Sequence, residues 1–516
     1  MRKTFTAFLT IIACFVSAQK IDRKVVVTRN NPVVTQFDAL NSLSVGNGHF
    51  AVTVDVTGLQ SFPKECENGV PLCAMSDWGW HSFPNTKGLK PEDTQKTMNL
   101  GHGHEEVYAV EYKTEGKNKD ATEYFRVNPH RLNLGNVGFV FTDGGRELPV
   151  TAVKDINQTL NLYDGNIVSN YTVKGDEYKV ITATAPYYPE MVFNVKTKAF
   201  KKGNAYICLT LPYVTGKHAD AASDWGNADK HQSEVLVKAQ NSVAVRHTID
   251  DTYYYVILSW TGKASFEKIS EHRYALIPKS DDVTICVDYQ RDDDVHLLKG
   301  VSPHLKTAFA DIKGFWNKWW NEGAIVDFSE CTDARAKELE RRVVLSQYLT
   351  FINCANDTPP QETGLTYNSW FGRPHLEMTW WHMVDFSLWN RPEVMEKILE
   401  WYDNKAYPYA KQIAQRQHFK GIRWMKMTDP WVGESPSNVG SFLTWQQPHY
   451  IYMAEEMYRH NPSAATVAKY AKYVEETAEF MADFALSCAT GNGPIRLYGQ
   501  TAMQESMSKD FSYCHP

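Results

Sequence analysis

Residues 302–325 read SPHLKTAFADIKGFWNKWWNEGAI, and here the period of the chain changes. Ser302 stands as a helix N-cap, Pro303 follows in the first turn, and Gly323 comes after the last aromatic pair as a stop, so the stretch predicts a helix. Upstream of it, from about Ile21 to Arg291, short β-branched and aromatic runs alternate with turn signals: HFAVTVDVTG (49–58), EYKVITATAP (177–186), VFNVKTKAF (192–200), TYYYVILSW (252–260) and DVTICVDYQ (282–290). Few of these runs have helical periodicity, which predicts a large all-β domain of the sandwich type. Downstream the period is helical. Leu339, Val343, Val344, Tyr348, Phe351 and Ile352 fall on one face. So do Val394, Met395, Ile398, Leu399 and Tyr402 after Pro392, and Tyr450, Met453, Ala454 and Met457. Val467, Ala471, Val474, Ala478, Met481 and Ala485 make a further stripe. The expected organisation is a β-sandwich domain over 19–295, a helical linker over 296–332 and an all-α domain over 333–516.

The polar and aromatic residues of the helical half gather in its connections. TYNSWFGRPHLEMTWWHMVDF (366–386) carries Trp370, His375, Glu377, Trp381, His382 and Asp385. GIRWMKMTDPWVGESP (421–436) carries Arg423, Trp424 and Lys426. SFLTWQQPHYIY (441–452) carries Gln446, Gln447 and His449, and AMQES (502–506) carries Glu505. A sugar suits this mixture, because its C–H face stacks on indole while its hydroxyls need planar polar partners; binding sites in general pair apolar walls with a few placed polar groups. The alternative is an aromatic core whose polar atoms serve helix ends. His375, Glu377, His382 and Asp385 resemble metal ligands in type, but no HExxH or comparable spacing is present, and no metal or other cofactor is implied. SDWGWHSFPN (76–85) reads either as a β-domain loop reaching the mouth of the helical domain or as a strand with Trp78 and Trp80 on one side.

With 516 residues the chain has room for several domains, and a net charge of -6 gives no reason to expect nucleic acid as a partner. The N-terminal MRKTFTAFLTIIACFVSAQK has a basic start, an apolar run and a small-residue cleavage pattern ending at Ala18, which predicts a signal peptide over 1–18 and a secreted or periplasmic protein. Cys14 leaves a lipoprotein as the alternative. The run is too short to span a bilayer as a mature helix, and no later segment qualifies. Of the other cysteines, Cys66 and Cys73 are close enough in sequence to pair.

In order and content, ERRVVLSQYLT (340–350), NSWFGRPHLEMTWWH (368–382), GIRWMKM (421–427), WQQPHYIY (445–452), ETAEFMADFA (476–485) and AMQES resemble the six-hairpin glycosidase superfamily. That group includes the maltose and kojibiose phosphorylases and the inverting α-L-fucosidases. The resemblance is good from about 300 onward; the N-terminal half matches by architecture and by NSLSVGNGHFAV (41–52). It implies a β-super-sandwich, a helical linker and an (α/α)6 toroid. It also implies a carbohydrate substrate, and a general-acid glutamate in the loop after the fifth barrel helix. The fifth helix is read here at 463–487, so that role falls on Glu505, although Met-Gln-Glu-Ser stands where the phosphorylases have Pro-Asp-Glu-Tyr. The implied activity is inverting hydrolysis of a glycosidic bond, with Trp370, His375, Glu377, Trp381, Arg423, Trp424, Lys426, Gln446, Gln447 and His449 binding substrate. A phosphorylase of the same fold and a non-catalytic carbohydrate-binding protein are the alternatives. Only about five barrel helices are read before Pro516, fewer than six hairpins require, so the toroid is expected in part and the catalytic base beyond residue 516.

Overall fold

The computed structural model describes residues 21–101, 104–110, 116–291, 305–437 and 440–487. The signal-peptide reading, Ser302, Pro303 and Glu505 lie outside the described residues.

Beside a three-stranded sheet (Leu43–Gly46, Phe50–Val54, Ala74–Ser76) and shorter strand pairs, the strand-like half is built on two large antiparallel sheets. One has nine strands, in the order Val33–Val34, Val153–Asn161, Asn166–Val173, Asp176–Thr184, Glu190–Thr197, Asp282–Gln290, Thr252–Trp260, Ser242–Ile249 and His231–Lys238. The other has five, in the order Arg146–Glu147, Asn136–Asp143, Ala205–Thr210, Arg273–Pro278 and Ala264–Ser270. Alternation decides which side faces in: Phe139, Phe141, Ile207 and Leu209 are buried, and Phe141 meets Tyr171 and Tyr178 of the larger sheet at ring distances of 6.2 and 5.4 Å. The β-domain is not free of helix, since Lys117–Val127 is an 11-residue helix. Cys66 and Cys73 do not pair; both are free buried thiols, Cys66 beside Ser42 and Cys73 beside the Ala221 carbonyl.

The 302–325 stretch holds the halves together. Its helix, Ala308–Asn321, ends just before Gly323 (φ +63°), as the sequence predicts. Trp316 packs on Tyr348 and Phe351 of the helix Ala336–Cys354, while Trp320 donates to the Leu162 carbonyl of the β-domain at 2.8 Å. Gly165 (φ +67°) makes room for this: a Cβ there would lie 1.7 Å from the Trp316 indole. Gly165→Ala is therefore expected to cost about 3 kcal/mol, combining overpacking with a left-handed backbone that alanine disfavours. The urea midpoint of unfolding reads this directly, and an unchanged midpoint would contradict the contact.

The helical half continues through Thr379–Leu388, Pro392–Trp401, a π-turn (Tyr402–Ala406), Tyr407–Arg416, His449–His460 and Ala464–Ser487. Two predicted faces are rotated. Along Ala336–Cys354, Leu339 is exposed and Glu340 is buried in its place, where it accepts from Arg29, Asn30 and the Phe328 amide. Along Ala464–Ser487 the buried side chains, among the described residues, are Thr466, Tyr470, Thr477, Phe480 and Phe484, while Val467 is 53% exposed and Met481 37%. Aromatic rings bury more area than alanine and valine, and they set the phase. Among the described residues, no helix is long and apolar enough to cross a membrane.

Candidate functional site

The β-domain and helical domain exchange backbone contacts beside the 366–386 cluster. Ala219–Asp220, from a β-domain loop, pairs antiparallel with Asn368–Ser369, and the Phe371 amide donates to the His218 carbonyl at 3.1 Å. This pairing holds Trp370 and Phe371 at positive φ (47° and 60°) and sets the His218 ring 4.4 Å from the Trp370 ring. His218 was not read from the sequence, because only the strand exchange brings it there.

Around Trp370 the structure gathers several of the expected residues. Lys426 Nζ lies 3.9 Å from the Trp370 ring centre and 3.0 Å from Glu377 Oε2. His375 Nε2 lies 3.2 Å from the same carboxylate oxygen, and its Nδ1 has no partner among the described residues. Burial pushes Glu377 up, but the His375 hydrogen bond and the Lys426 charge outweigh it and hold the carboxyl below its ordinary range. Burial lowers His375. The consistent state is a neutral imidazole donating from Nε2 to an ionised Glu377. His449 donates from Nδ1 to the Leu376 carbonyl at 3.1 Å, is lowered by burial, and packs edge-on to the exposed Trp381 at 5.3 Å. His382 reaches the Glu362 carbonyl and is driven down to about 4 by burial.

Arg423, Trp424, Gln446 and Gln447 are placed inside the helical domain instead of on an open subsite. Arg423 donates to Tyr108 Oη and the Ser441 carbonyl. Gln447 accepts from the Trp424 amide and donates to the Trp424 carbonyl, and Gln446 donates to that carbonyl as well. The Trp424 ring is fully buried, stacked on Tyr450 with its indole N–H on Thr477. The void beside Arg423, Trp424, Lys426 and Gln446 measures about 10 Å³, room for one water at most. Side chains of bidentate type serve the loop backbone as readily as a ligand, and here the loop takes them.

The open space lies next door. A cleft of about 640 Å³ runs along the seam between the domains. The β-domain side carries Asp77, Trp78, Trp80 and His81, and the helical side carries Pro374 and Trp431. Trp80–His81 is a short strand paired with His130–Arg131, but Trp78 lies in the turn before it, so the two indoles do not share one strand, and the segment lines the cleft together with the helical domain. Arg131 ties the two sides, with its guanidinium 4.1 Å from the Trp80 ring centre and Nη2 donating to the Gly372 carbonyl. Asp77 Oδ2 lies 2.6 Å from His49 Nδ1. His81 Nε2 lies 3.0 Å from Asp250 and its Nδ1 3.1 Å from His130. Trp431 is 63% exposed and offers an open indole face. Asp77 and Asp251 against Arg291 leave the wall slightly acidic. Among the described residues no group of three or more His, Cys, Asp and Glu is arranged to hold a metal ion.

No protein-family model and no curated protein matches this chain. Solved structures do. A human-microbiome protein assigned as a kojibiose phosphorylase matches with a TM-score of 0.59 at 12% identity, over 88% of this chain and 59% of that one. A bacterial glucoamylase complexed with acarbose matches with a TM-score of 0.41 at 11% identity, over 88% of this chain and 69% of that one. A GH92 α-mannosidase from Bacteroides thetaiotaomicron gives 0.29 at 8%, over 87% and 61%. The first likeness establishes a shared fold, a β-domain followed by a helical domain, and so meets at the level of fold the resemblance read from the sequence. The chain spans 59% of the length of that structure.

Proposed function

We propose that this chain belongs to a carbohydrate-active enzyme of the six-hairpin type. We further propose that it is an exported glycoside hydrolase whose helical domain forms part of an (α/α)6 toroid, and that its saccharide lies in the seam cleft. The observation that carries the reading is the cleft itself. Indole surfaces from the two domains face one slot, carboxylates stand on its wall, and Pro374 leads from it to the Glu377–Lys426 pair. The shared fold with a protein assigned as a kojibiose phosphorylase supports the same class.

The chemistry assigns roles. An ionised Glu377 fixed by Lys426 and His375 cannot supply a proton, but it accepts from sugar hydroxyls in a defined direction. Trp431 and Trp78 supply apolar faces for the ring. The proton for the leaving glycosidic oxygen is assigned to Glu505, and the attacking water to a second carboxylate. Glu377→Gln keeps the shape and loses the charge-assisted bond. It is expected to weaken saccharide affinity about 10- to 100-fold, the equivalent of about 1.5–3 kcal/mol, and to lower stability as well, because the buried Lys426 ammonium loses its counter-charge. Titration by calorimetry measures it, and unchanged affinity would remove Glu377 from the site.

The deciding assay incubates the full chain, and a version extended downstream, with gluco-, manno- and galacto-oligosaccharides, with and without inorganic phosphate. Reducing-end release independent of phosphate is the expected result. Sugar phosphate formed only when phosphate is added would establish the phosphorylase. Binding with neither product would establish a binding protein. In an active chain, Glu505→Gln should lower turnover about 10²- to 10⁴-fold.

A further inference from the structure

A second open groove, of about 420 Å³, lies wholly within the β-domain and shares no lining residue with the seam cleft. It crosses the outer face of the five-stranded sheet. Gly138, Cys208 and Thr210 floor it with small side chains, since their neighbours Phe139, Ile207 and Leu209 point into the core. Trp225 stands on its rim, 38% exposed, and no ring stacks on it among the described residues.

The groove is built to a fixed shape. The Trp225 loop is anchored on both sides: Asp224 exchanges two backbone hydrogen bonds with Tyr213 at 2.9 Å, and its carboxylate accepts the Gly226 amide at 2.8 Å. The opposite wall, Gln60–Ser61, is stitched to the sheet edge through Val137 and Phe139. Gly138 permits this approach, because a Cβ there would meet the Gln60 carbonyl at 2.2 Å. Gln60 is buried, and its Oε1 accepts from the Val137 amide, which fixes this wall. A free indole face, the Thr210 hydroxyl and rim charges of both signs (Arg273 and Glu271) combine a stacking surface with polar groups. That combination fits a neutral saccharide. It does not fit an anion, which the rim acids Glu271, Glu147 and Asp224 would repel, or a purely apolar ligand, which would strand the polar groups.

We infer that this groove is a second, non-catalytic saccharide-binding site, remote from the seam cleft and able to hold a chain while its end is processed elsewhere. The inference rests on the carbohydrate reading above, and the test separates the two. Binding of the same oligosaccharide panel to the full chain is followed by calorimetry for wild type, Trp225→Ala and Trp431→Ala. Thr210→Phe serves as a second groove variant that fills the floor without touching Trp225. Circular dichroism confirms that each is folded. Two classes of site are expected, one weakened at least tenfold by Trp225→Ala and by Thr210→Phe, the other by Trp431→Ala alone. If Trp431→Ala removes all binding and both groove variants behave as wild type, the groove inference is overturned and the cleft reading stands. If only the groove variants lose binding, the cleft reading fails and the groove stands. If wild type binds no member of the panel, both are overturned.

Discussion

Replacing Arg373 with Met is expected to lower the stability of the chain by about 4 kcal/mol or more and to loosen the seam on which the proposed site depends. Arg373 is 1% exposed and, among the described residues, makes no ion pair. Its Nε donates to the Pro129 carbonyl at 3.1 Å, its Nη2 to the carbonyls of Phe125 (2.7 Å) and Asn128, and its Nη1 to Ser435 Oγ at 2.6 Å. Three of these acceptors lie in the β-domain, at the end of the helix Lys117–Val127, and the fourth lies in the helical domain, so one guanidinium joins both halves. Burial brings it down to about 10, so it stays charged at neutral pH. Met matches the length of the side chain and donates nothing. Each stranded buried acceptor costs about 1–3 kcal/mol, and water entry recovers part of that. Lys should recover about half, since an ammonium reaches some of the acceptors without the planar fork. Because two domains are coupled here, scanning calorimetry is the informative measurement: the Met variant should split one transition into two. A single transition shifted by less than about 1 kcal/mol would show that Arg373 does not hold the seam.

The sequence made the change of period at 302–325 legible, and with it the division into a β-domain and a helical domain, because burial on two sheet faces and on one helix stripe follow different periods. It also named Trp370, His375, Glu377 and Lys426 among ten candidate binding residues, and the fold brings these four together. It did not reveal which polar residues face a ligand and which face the backbone. Gln447 and Arg423 carry the same donors either way, and only the path of the 421–436 loop, which turns Trp424 inward, decides. The phase of Ala464–Ser487 was missed for a related reason. A count of apolar positions weights Ala478 equally with Phe480, whereas burial weights them by area. His218 and Arg131 were out of reach because their places come from pairings between segments more than a hundred residues apart, Ala219 with Ser369 and Arg131 with Gly372.

Acidification should unfold this protein well before its carboxylates are fully protonated. Burial drives His130 down to about 3 and His231 and His382 to about 4, and it lowers His81, His247, His375 and His449 as well. In the unfolded chain each takes a proton near pH 6.5. Between that pH and about 4 the unfolded state therefore binds more protons than the folded one, and stability falls as pH falls. Each such histidine contributes a slope of about 1.4 kcal/mol per pH unit. Four groups work in the opposite direction: burial raises the Asp55, Asp403 and Asp385 carboxyls, and at His49 burial is outweighed by the Asp77 carboxylate, which raises the imidazole. Asp55 and Asp403 rise to about 6, so in the folded state they hold protons that the unfolded chain releases down to about pH 4. Asp55 is restrained in this by Thr57, Ser61 and Phe62, which all donate to its carboxylate. The lowered histidines outnumber these four groups, and the balance is a net loss of about 3 kcal/mol between pH 6 and pH 4. Urea midpoints measured from pH 7.5 down to 4.5 should drop steadily. His130→Asn, which cannot titrate, should flatten that slope by about 1.4 kcal/mol per unit whatever it does to the absolute stability. A midpoint that holds constant or rises over this range would mean that these imidazoles are charged inside the fold. The neutral His375 that orients Glu377 would then have to be abandoned as well, because the same burial that lowers the others lowers it.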